Sequence, residues 1–404
     1  LPWLDSQALF VDCSLSVHGV EWVVAMTRRP PSSSSPDGIL PEWVPGDAHD
    51  DPHFASRVMT GVKGDMRHGG RPVSRKRLSL DDYAAGVLAG DITVLSRAIT
   101  LVESHRPDHE ALAQQLLTRV LPFAGNSVRV GISGVPGAGK STLIEALGCL
   151  LADRGHKVAV IAVDPSSSVS GGSILGDKTR MMRLAGHPRA FIRPSPSAGS
   201  LGGVARKSRE TILLCEAAGF DVILVETVGT GQNEITVRSM VDCFLLLLLA
   251  GAGDDLQGMK KGIMEIADIL AVNKADGENI RRAQLACAET NRSLHLLQPS
   301  TPGWTSKCVT CSALAPDTLA ALWDQVDEFA KEARSSGVWE NRRKCQSVAW
   351  MRTLIAEDLE QRFARHPLVR DMLPALEVEV ADQSLPAAAA ARQVLNVFFG
   401  SDSK

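Results

Sequence analysis

Aromatic residues are scarce in this 404-residue chain, at 4% with a single tyrosine. That leaves little material for the stacking platforms that grip bases or sugars. No sign of charge dominates, since 43 Lys and Arg face 46 Asp and Glu for a net charge of −3. A broad basic coat for nucleic acid is therefore excluded as the organising feature, and no nucleic-acid partner is expected. Long apolar runs are missing as well. The longest, Val241 to Ala250, contains Asp242 and falls far short of the about 20 residues needed to span a bilayer, so no membrane partner is expected. The eight cysteines are scattered, unlike a disulfide scaffold, and suit a reducing, cytoplasmic location. No basic stretch and apolar core follow Leu1, so no secretory signal is expected. What is abundant is apolar: 44% of the residues, against 22% charged. That is enough burial to exclude global disorder, and the length exceeds what one compact core usually needs.

The chain divides into four stretches. Residues 1–78, with Pro30-Pro31-Ser32-Ser33-Ser34-Ser35-Pro36 and a basic Arg75-Lys76-Arg77, read as a disordered extension or a misassigned start. Residues 79–125 read as a helical segment: Ser79 and Asp82 have the spacing of a capping box, Val94, Leu95, Ala98, Ile99 and Val102 recur with helical period, and a second helix is expected from His109 to Val120. Residues 126–315 alternate short β-branched runs with helical patterns. Strands are expected at Ser127 to Ser133, Lys157 to Asp164, Asp221 to Glu226, Cys243 to Ala250, Ile269 to Asn273 and Cys308 to Ser312. Such alternation gives βαβ units, and continuous rather than alternating hydrophobicity gives strands buried on both faces. Residues 316–404 return to helix, with Met351, Ile355, Leu359 and Phe363 in one i, i+4 row between Trp339 and Phe363.

Gly134-Val135-Pro136-Gly137-Ala138-Gly139-Lys140-Ser141, followed by Thr142, fits the phosphate-binding loop pattern in full. It stands where that loop must stand, between a buried strand and an apolar helix. The glycines let backbone N–H groups wrap an anion; Lys140 is placed to reach the β- and γ-phosphates and Ser141 to ligate Mg²⁺. Downstream, Asn273-Lys274-Ala275-Asp276 directly follows a strand. The Asp276 carboxylate can accept from guanine N1–H and its exocyclic amine, a donor pair adenine lacks. Asn273 would hold the loop, the stem of Lys274 would cover one ring face, and a backbone N–H at Ser312-Ala313 would meet guanine O6. GTP or GDP is thus the expected nucleotide, with Mg²⁺.

Asp164 and Glu226 close adjacent strands at the end where ligands bind in parallel sheets, and hard carboxylate oxygens there suit Mg²⁺. A helix cap before Pro165 is the alternative role for Asp164, with the metal role favoured. Asp177 lies beyond a Gly/Ser-rich loop and joins the metal and switch candidates. Catalysis is expected from Lys140, Asp177 and Glu226, with no general base assigned. Gly229 and Gln232 mark one switch candidate. The position after Gly229 is Thr230, where many GTPases carry a water-orienting Gln, so slow unassisted hydrolysis is expected. Asp254, Asp255, Gln257, Lys260 and Lys261 lie in a glycine-hinged loop that reads either as a further switch or as a long connection. Cys308 and Cys311 have the spacing of half a zinc site without a second pair, which favours buried thiols.

Together these residues resemble the methylmalonyl-CoA mutase-associated GTPases of the MeaB/ArgK type. The resemblance runs from about Ser79 to Phe399. It rests on Gly134 to Ser141, Asp164-Pro165-Ser166-Ser167, Gly176 to Met181, Leu201 to Ala205, Glu226-Thr227-Val228-Gly229, Gly251 to Gly262 and Asn273 to Asp276. It implies an α/β fold: a mostly parallel sheet forming a P-loop GTPase domain, flanked by an N-terminal helical cap and a C-terminal helical dimerisation arm. By resemblance, Asp164, Asp177 and Glu226 are the Mg²⁺ and switch carboxylates, and the 251–262 loop is a third switch that communicates with the partner. The implied function is a homodimeric GTPase chaperone that gates cofactor loading and protects an adenosylcobalamin-dependent acyl-CoA mutase. The alternatives are a transport-associated ATPase or kinase and a metallochaperone GTPase; the latter lacks a His tract. Thr230 and Asn233 depart from the family's usual Val and Ser, and Ser197-Ala198-Gly199 lacks its common basic middle residue.

Overall fold

The described chain enters its first helix through a capping box. The Ser79 hydroxyl accepts from the Asp82 N–H (3.1 Å) while the Asp82 carboxylate accepts from the Ser79 N–H (3.0 Å), so two otherwise orphaned donors are satisfied reciprocally. A computed structural model describes residues 78–104, 106–163, 181–194, 201–227, 234–251 and 261–400, with only the backbone of 201–204 and 261. Helices α1 (Leu80–Leu88), α2 (Ile92–Glu103) and α3 (Pro107–Val120) bury Val87, Leu95, Ile99, Leu116 and Val120. The spacing of these residues gives each helix one apolar face.

Among the described residues seven strands follow: β1 (Val128–Gly134), β2 (Val158–Val163), β3 (Ala190–Arg193), β4 (Val222–Thr227), β5 (Cys243–Leu249), β6 (Ile269–Asn273) and β7 (Lys307–Thr310). They form one sheet in the order β3-β2-β4-β1-β5-β6-β7, and every pairing is parallel. β5 shows why the leucine run is a strand. Phe244, Leu246 and Leu248 enter the core shared with α1–α3, while Cys243, Leu245 and Leu247 enter the core on the opposite face. A strand buried on both sides needs apolar residues at every position, which erases the period of two.

The first core is closed by the helix Leu201–Ala217, the second by α4 (Lys140–Asp153) and the helix Pro316–Ser335. β1 is central, and the chain runs from it toward β2 on one side and later to β5 on the other. The crevice beyond the carboxyl ends of these strands is the place where such sheets bind ligands.

Beyond one-residue shifts at strand ends, two details differ from the sequence-based expectation. β3 was not expected: it has four residues at the sheet's edge, between Pro188 and Pro194, too few to display a pattern. β7 ends at Thr310 rather than Ser312, because the Ser312 N–H leaves the ladder for the Thr318 hydroxyl (3.0 Å).

The long helix Val338–Arg365 is bolted to the opposite, amino-terminal edge of the sheet. Arg343 gives Nε to Asp242 Oδ1 (2.7 Å) and Nη2 to both Asp242 Oδ2 (2.6 Å) and the Ser127 carbonyl (2.7 Å). Arg342 donates to the Asp242 carbonyl, and Gln346 to the Val241 carbonyl (2.8 Å). Farther along, Met351, Ile355 and Leu359 are half exposed (51–53%), whereas Phe363 packs edge-on against Phe398. No described helix is long and apolar enough to cross a membrane.

Candidate functional site

Gly134 ends β1 beside Leu247 of β5. With φ at 155°, a Cβ added there would lie 2.6 Å from the Leu247 carbonyl oxygen, so only glycine lets the chain leave the strand this close to its neighbour. The loop re-enters helix at Gly139, whose φ of 85° sets the start of α4. The unpaired N–H groups of a helix's first turn then face the loop, a geometry that favours an anion.

Lys140 folds back over this loop, its Nζ donating to the carbonyls of Gly134 (2.7 Å) and Val135 (3.3 Å). Burial holds its ammonium pKa below the ordinary lysine value, and the negative charges of Glu226 and Glu234 pull the other way. Of the remaining loop residues, Pro136 and Gly137 are exposed, Ala138 is buried, and Thr142 is exposed on the first turn of α4.

The Ser141 hydroxyl donates to Glu226 Oε1 at 2.7 Å. Glu226 is buried near the carboxyl end of β4, in register with Ile132 of β1 and Ala162 of β2. The structure therefore brings together two of the four residues expected to hold Mg²⁺, both presenting hard oxygens. The other two, Asp164 and Asp177, lie outside the described residues, as do Gly229, Gln232, Asp254, Asp255, Gln257 and Lys260, together with Thr230 and Asn233. Lys261 opens the helix Lys261–Ile266, and its side chain is outside the description too.

The second half of the crevice is built from the ends of β6 and β7. Asn273, 2% exposed, donates through Nδ2 to the Ala138 carbonyl at 2.8 Å and accepts from the Cys311 thiol at 3.6 Å. Gly139 makes the first bond possible, because a Cβ there would stand 2.9 Å from that same Nδ2. Lys274 takes a left-handed backbone (φ 59°), a conformation costing a non-glycine residue roughly 1–2 kcal/mol. Asn279 braces the turn by donating to the Lys274 carbonyl (2.7 Å), and the Lys274 stem runs beside Gly139. The half-buried Asp276 accepts from the Ser312 hydroxyl at 2.5 Å, and that hydroxyl in turn accepts from the Leu314 N–H (3.1 Å). Ala313 lies between them, half buried. The phosphate-loop residues and the residues expected to select guanine thus lie at one crevice.

Some members of the site were not legible in the sequence. Thr227 donates to the Ser133 hydroxyl (3.0 Å), which donates to Glu234 Oε1 (3.4 Å). Cys311 is a support for Asn273, and burial pushes its thiol up to about 12, keeping it a neutral donor. Among the described residues no group of three His, Cys, Asp or Glu side chains forms a metal-holding cluster.

Comparison with known proteins places the chain in a family of this fold. The family described as methylmalonyl Co-A mutase-associated GTPase MeaB matches residues 95–367. "Probable GTPase Rv1496" of Mycobacterium tuberculosis is 53% identical over 79% of this chain and 95% of its own. GTPase ArgK of Escherichia coli is 50% identical over 70% of this chain and 85% of its own. The mouse protein "Methylmalonic aciduria type A homolog, mitochondrial" is 43% identical over 79% of each. The crystal structure of an LAO/AO transport system kinase superposes with a TM-score of 0.65 at 37% identity, covering 80% of this chain and 99% of its own. With a P-loop α/β fold and a family match over most of its length, the chain belongs to the MeaB family of methylmalonyl-CoA mutase-associated GTPases.

Proposed function

We propose that this GTPase seats GTP with its triphosphate in the loop from Gly134 to Thr142 and its guanine against Asp276. It hydrolyses GTP slowly when alone, and uses the cycle to gate cofactor loading onto an adenosylcobalamin-dependent acyl-CoA mutase and to protect it. The observation that carries the reading is the bond from Asn273 to Ala138, which ties the guanine-selecting turn to the phosphate loop. In this reading Asn273 holds the turn, Lys274 covers a ring face, and Ser312 with Ala313 meets guanine O6. Lys140 leaves the carbonyls of Gly134 and Val135 for phosphate oxygens and offsets the charge that builds in the transition state.

Ser141 and Glu226 fit Mg²⁺ by the chemistry of their oxygens, with Asp164 and Asp177 as the further proposed ligands. When bound, the ion neutralises charge on the β- and γ-oxygens. Glu226 and Ser141 orient one another, and Asp177, Gly229, Gln232, Asp254, Asp255, Gln257, Lys260 and Lys261 are the proposed switch residues. Residues 79–125 serve as the cap, 126–315 as the GTPase domain and 316–404 as a dimerisation arm. The exposed row Met351, Ile355 and Leu359 supports a homodimer, since an apolar stripe of this kind marks an interaction surface. The scattered cysteines suit a cytoplasmic setting. The family's description and the mouse relative's name support the mutase as client.

GTP turnover with and without a candidate cobalamin-dependent mutase, together with a pull-down, tests this function. Acceleration or retardation by the mutase with stable association is expected; a rate indifferent to every such mutase, with no association, defeats the chaperone reading.

A further inference from the structure

Glu234 opens the short helix Glu234–Arg238 and is only 8% exposed. Its Oε1 accepts from the Ser133 hydroxyl (3.4 Å), while its Oε2 is buried with no hydrogen-bond partner among the described residues. A carboxylate has only acceptors to offer, and burying one of them without a donor is costly. Such a group persists where another state of the protein supplies the donor.

That donor is near. Ser133 directly precedes Gly134, whose carbonyl holds the Lys140 ammonium at 2.7 Å. Among the described residues, the charged groups facing Lys140 are Glu226 from β4 and Glu234 from this helix. Glu226 is already engaged by Ser141. Of these two, Glu234 is the carboxylate whose second oxygen has no partner among the described residues.

We infer that Glu234 is a positioning residue for Lys140. When phosphate draws the ammonium off the carbonyls of Gly134 and Val135, Oε2 accepts one of its three N–H groups and aims the others at the phosphate oxygens. The inference rests on the proposed seat of GTP in the phosphate loop. Glu234 does not touch the nucleotide, because carboxylate and phosphate repel. Its effect is felt where phosphate charge peaks, in the transition state, and little in the binding of GDP.

The test uses the full chain, with single-turnover GTP hydrolysis, fluorescent GDP titration and thermal melting. Glu234→Gln is expected to slow hydrolysis at least tenfold while GDP affinity changes less than threefold. Glu234→Asp, which keeps the charge, retains more of the rate. In a Lys140→Ala background Glu234→Gln adds no further loss, as residues acting as one unit require. Should Glu234→Gln fail to fold, Ser133→Ala, which removes only the hydroxyl partner, is expected to slow hydrolysis two- to fivefold with GDP affinity intact, and an unchanged rate overturns the assignment. Hydrolysis by Glu234→Gln within twofold of wild type, or an equal further loss in the Lys140→Ala background, also overturns it. Wild-type hydrolysis by Lys140→Ala alone overturns the seat of GTP itself, and the role of Glu234 with it.

Discussion

Asn273 and Ala138 stand 135 positions apart in the chain, yet the side-chain amide of one donates to the backbone carbonyl of the other at 2.8 Å. The bond crosses from the end of β6 to the loop after β1, spanning the intervening strand β5. It fixes how far the turn at Asp276 can lie from the loop at Lys140, and so fixes the length of ligand that can engage both.

Gly139 is the first point at which that relationship can be broken. A Cβ at this position meets Asn273 Nδ2 at 2.9 Å and must also adopt a φ of 85°. Backbone strain and a weakened hydrogen bond together cost about 2 kcal/mol, which is about thirtyfold in affinity. Gly139→Ala is expected to bind fluorescent GDP about thirtyfold more weakly with an unchanged far-UV circular dichroism spectrum.

Ser141 links the phosphate loop to Glu226 at 2.7 Å. If this pair holds the ion, Mg²⁺ strengthens GTP binding in the wild type, and Ser141→Ala loses most of that strengthening while its Mg²⁺-free affinity stays put. Titrations with Mg²⁺ and with EDTA check this; equal Mg²⁺ dependence in both proteins would contradict it.

Arg343 and Asp242 are a stability matter at the other end of the sheet. Asp242 is 1% exposed and meets Arg343 through both of its oxygens. Removing one partner of a buried ion pair leaves an uncompensated charge, worth roughly 3–5 kcal/mol. Arg343→Ala is expected to lower the melting temperature markedly in calorimetry, and the double change with Asp242→Asn to recover part of the loss.

The apolar row on the helix Val338–Arg365 predicts association. Ile355, flanked by Met351 and Leu359 one turn away on either side, is half exposed. Ile355→Glu is expected to convert a dimer to a monomer in sedimentation velocity without altering GDP affinity. A wild-type chain that sediments as a monomer at all concentrations would contradict it.

Much of this was legible in the sequence because the signals are local. The capping residues Ser79 and Asp82 sit three positions apart, the phosphate loop is eight contiguous residues, and the β5 leucine run declares its two buried faces. What was not legible depends on strands being brought side by side. Ser133, Thr227 and Glu234 are ordinary polar residues near element ends until β1, β4 and the helix after them converge. Arg343 and Asp242 lie 101 positions apart, and nothing in either neighbourhood announces the other. Cys311 reads as a buried strand thiol, and only the register of β6 against β7 turns it toward Asn273.

Selection of guanine by Asp276 is measured most directly by competing GTP and ATP against a fluorescent guanine nucleotide, for the wild type and for Asp276→Ala. Two charge-assisted contacts at about 1.5–3 kcal/mol each predict that GTP binds the wild type more than a hundredfold tighter than ATP, and that Asp276→Ala abolishes most of this preference. ATP binding as tightly as GTP, or an Asp276→Ala protein that keeps its full affinity for GTP, would contradict it.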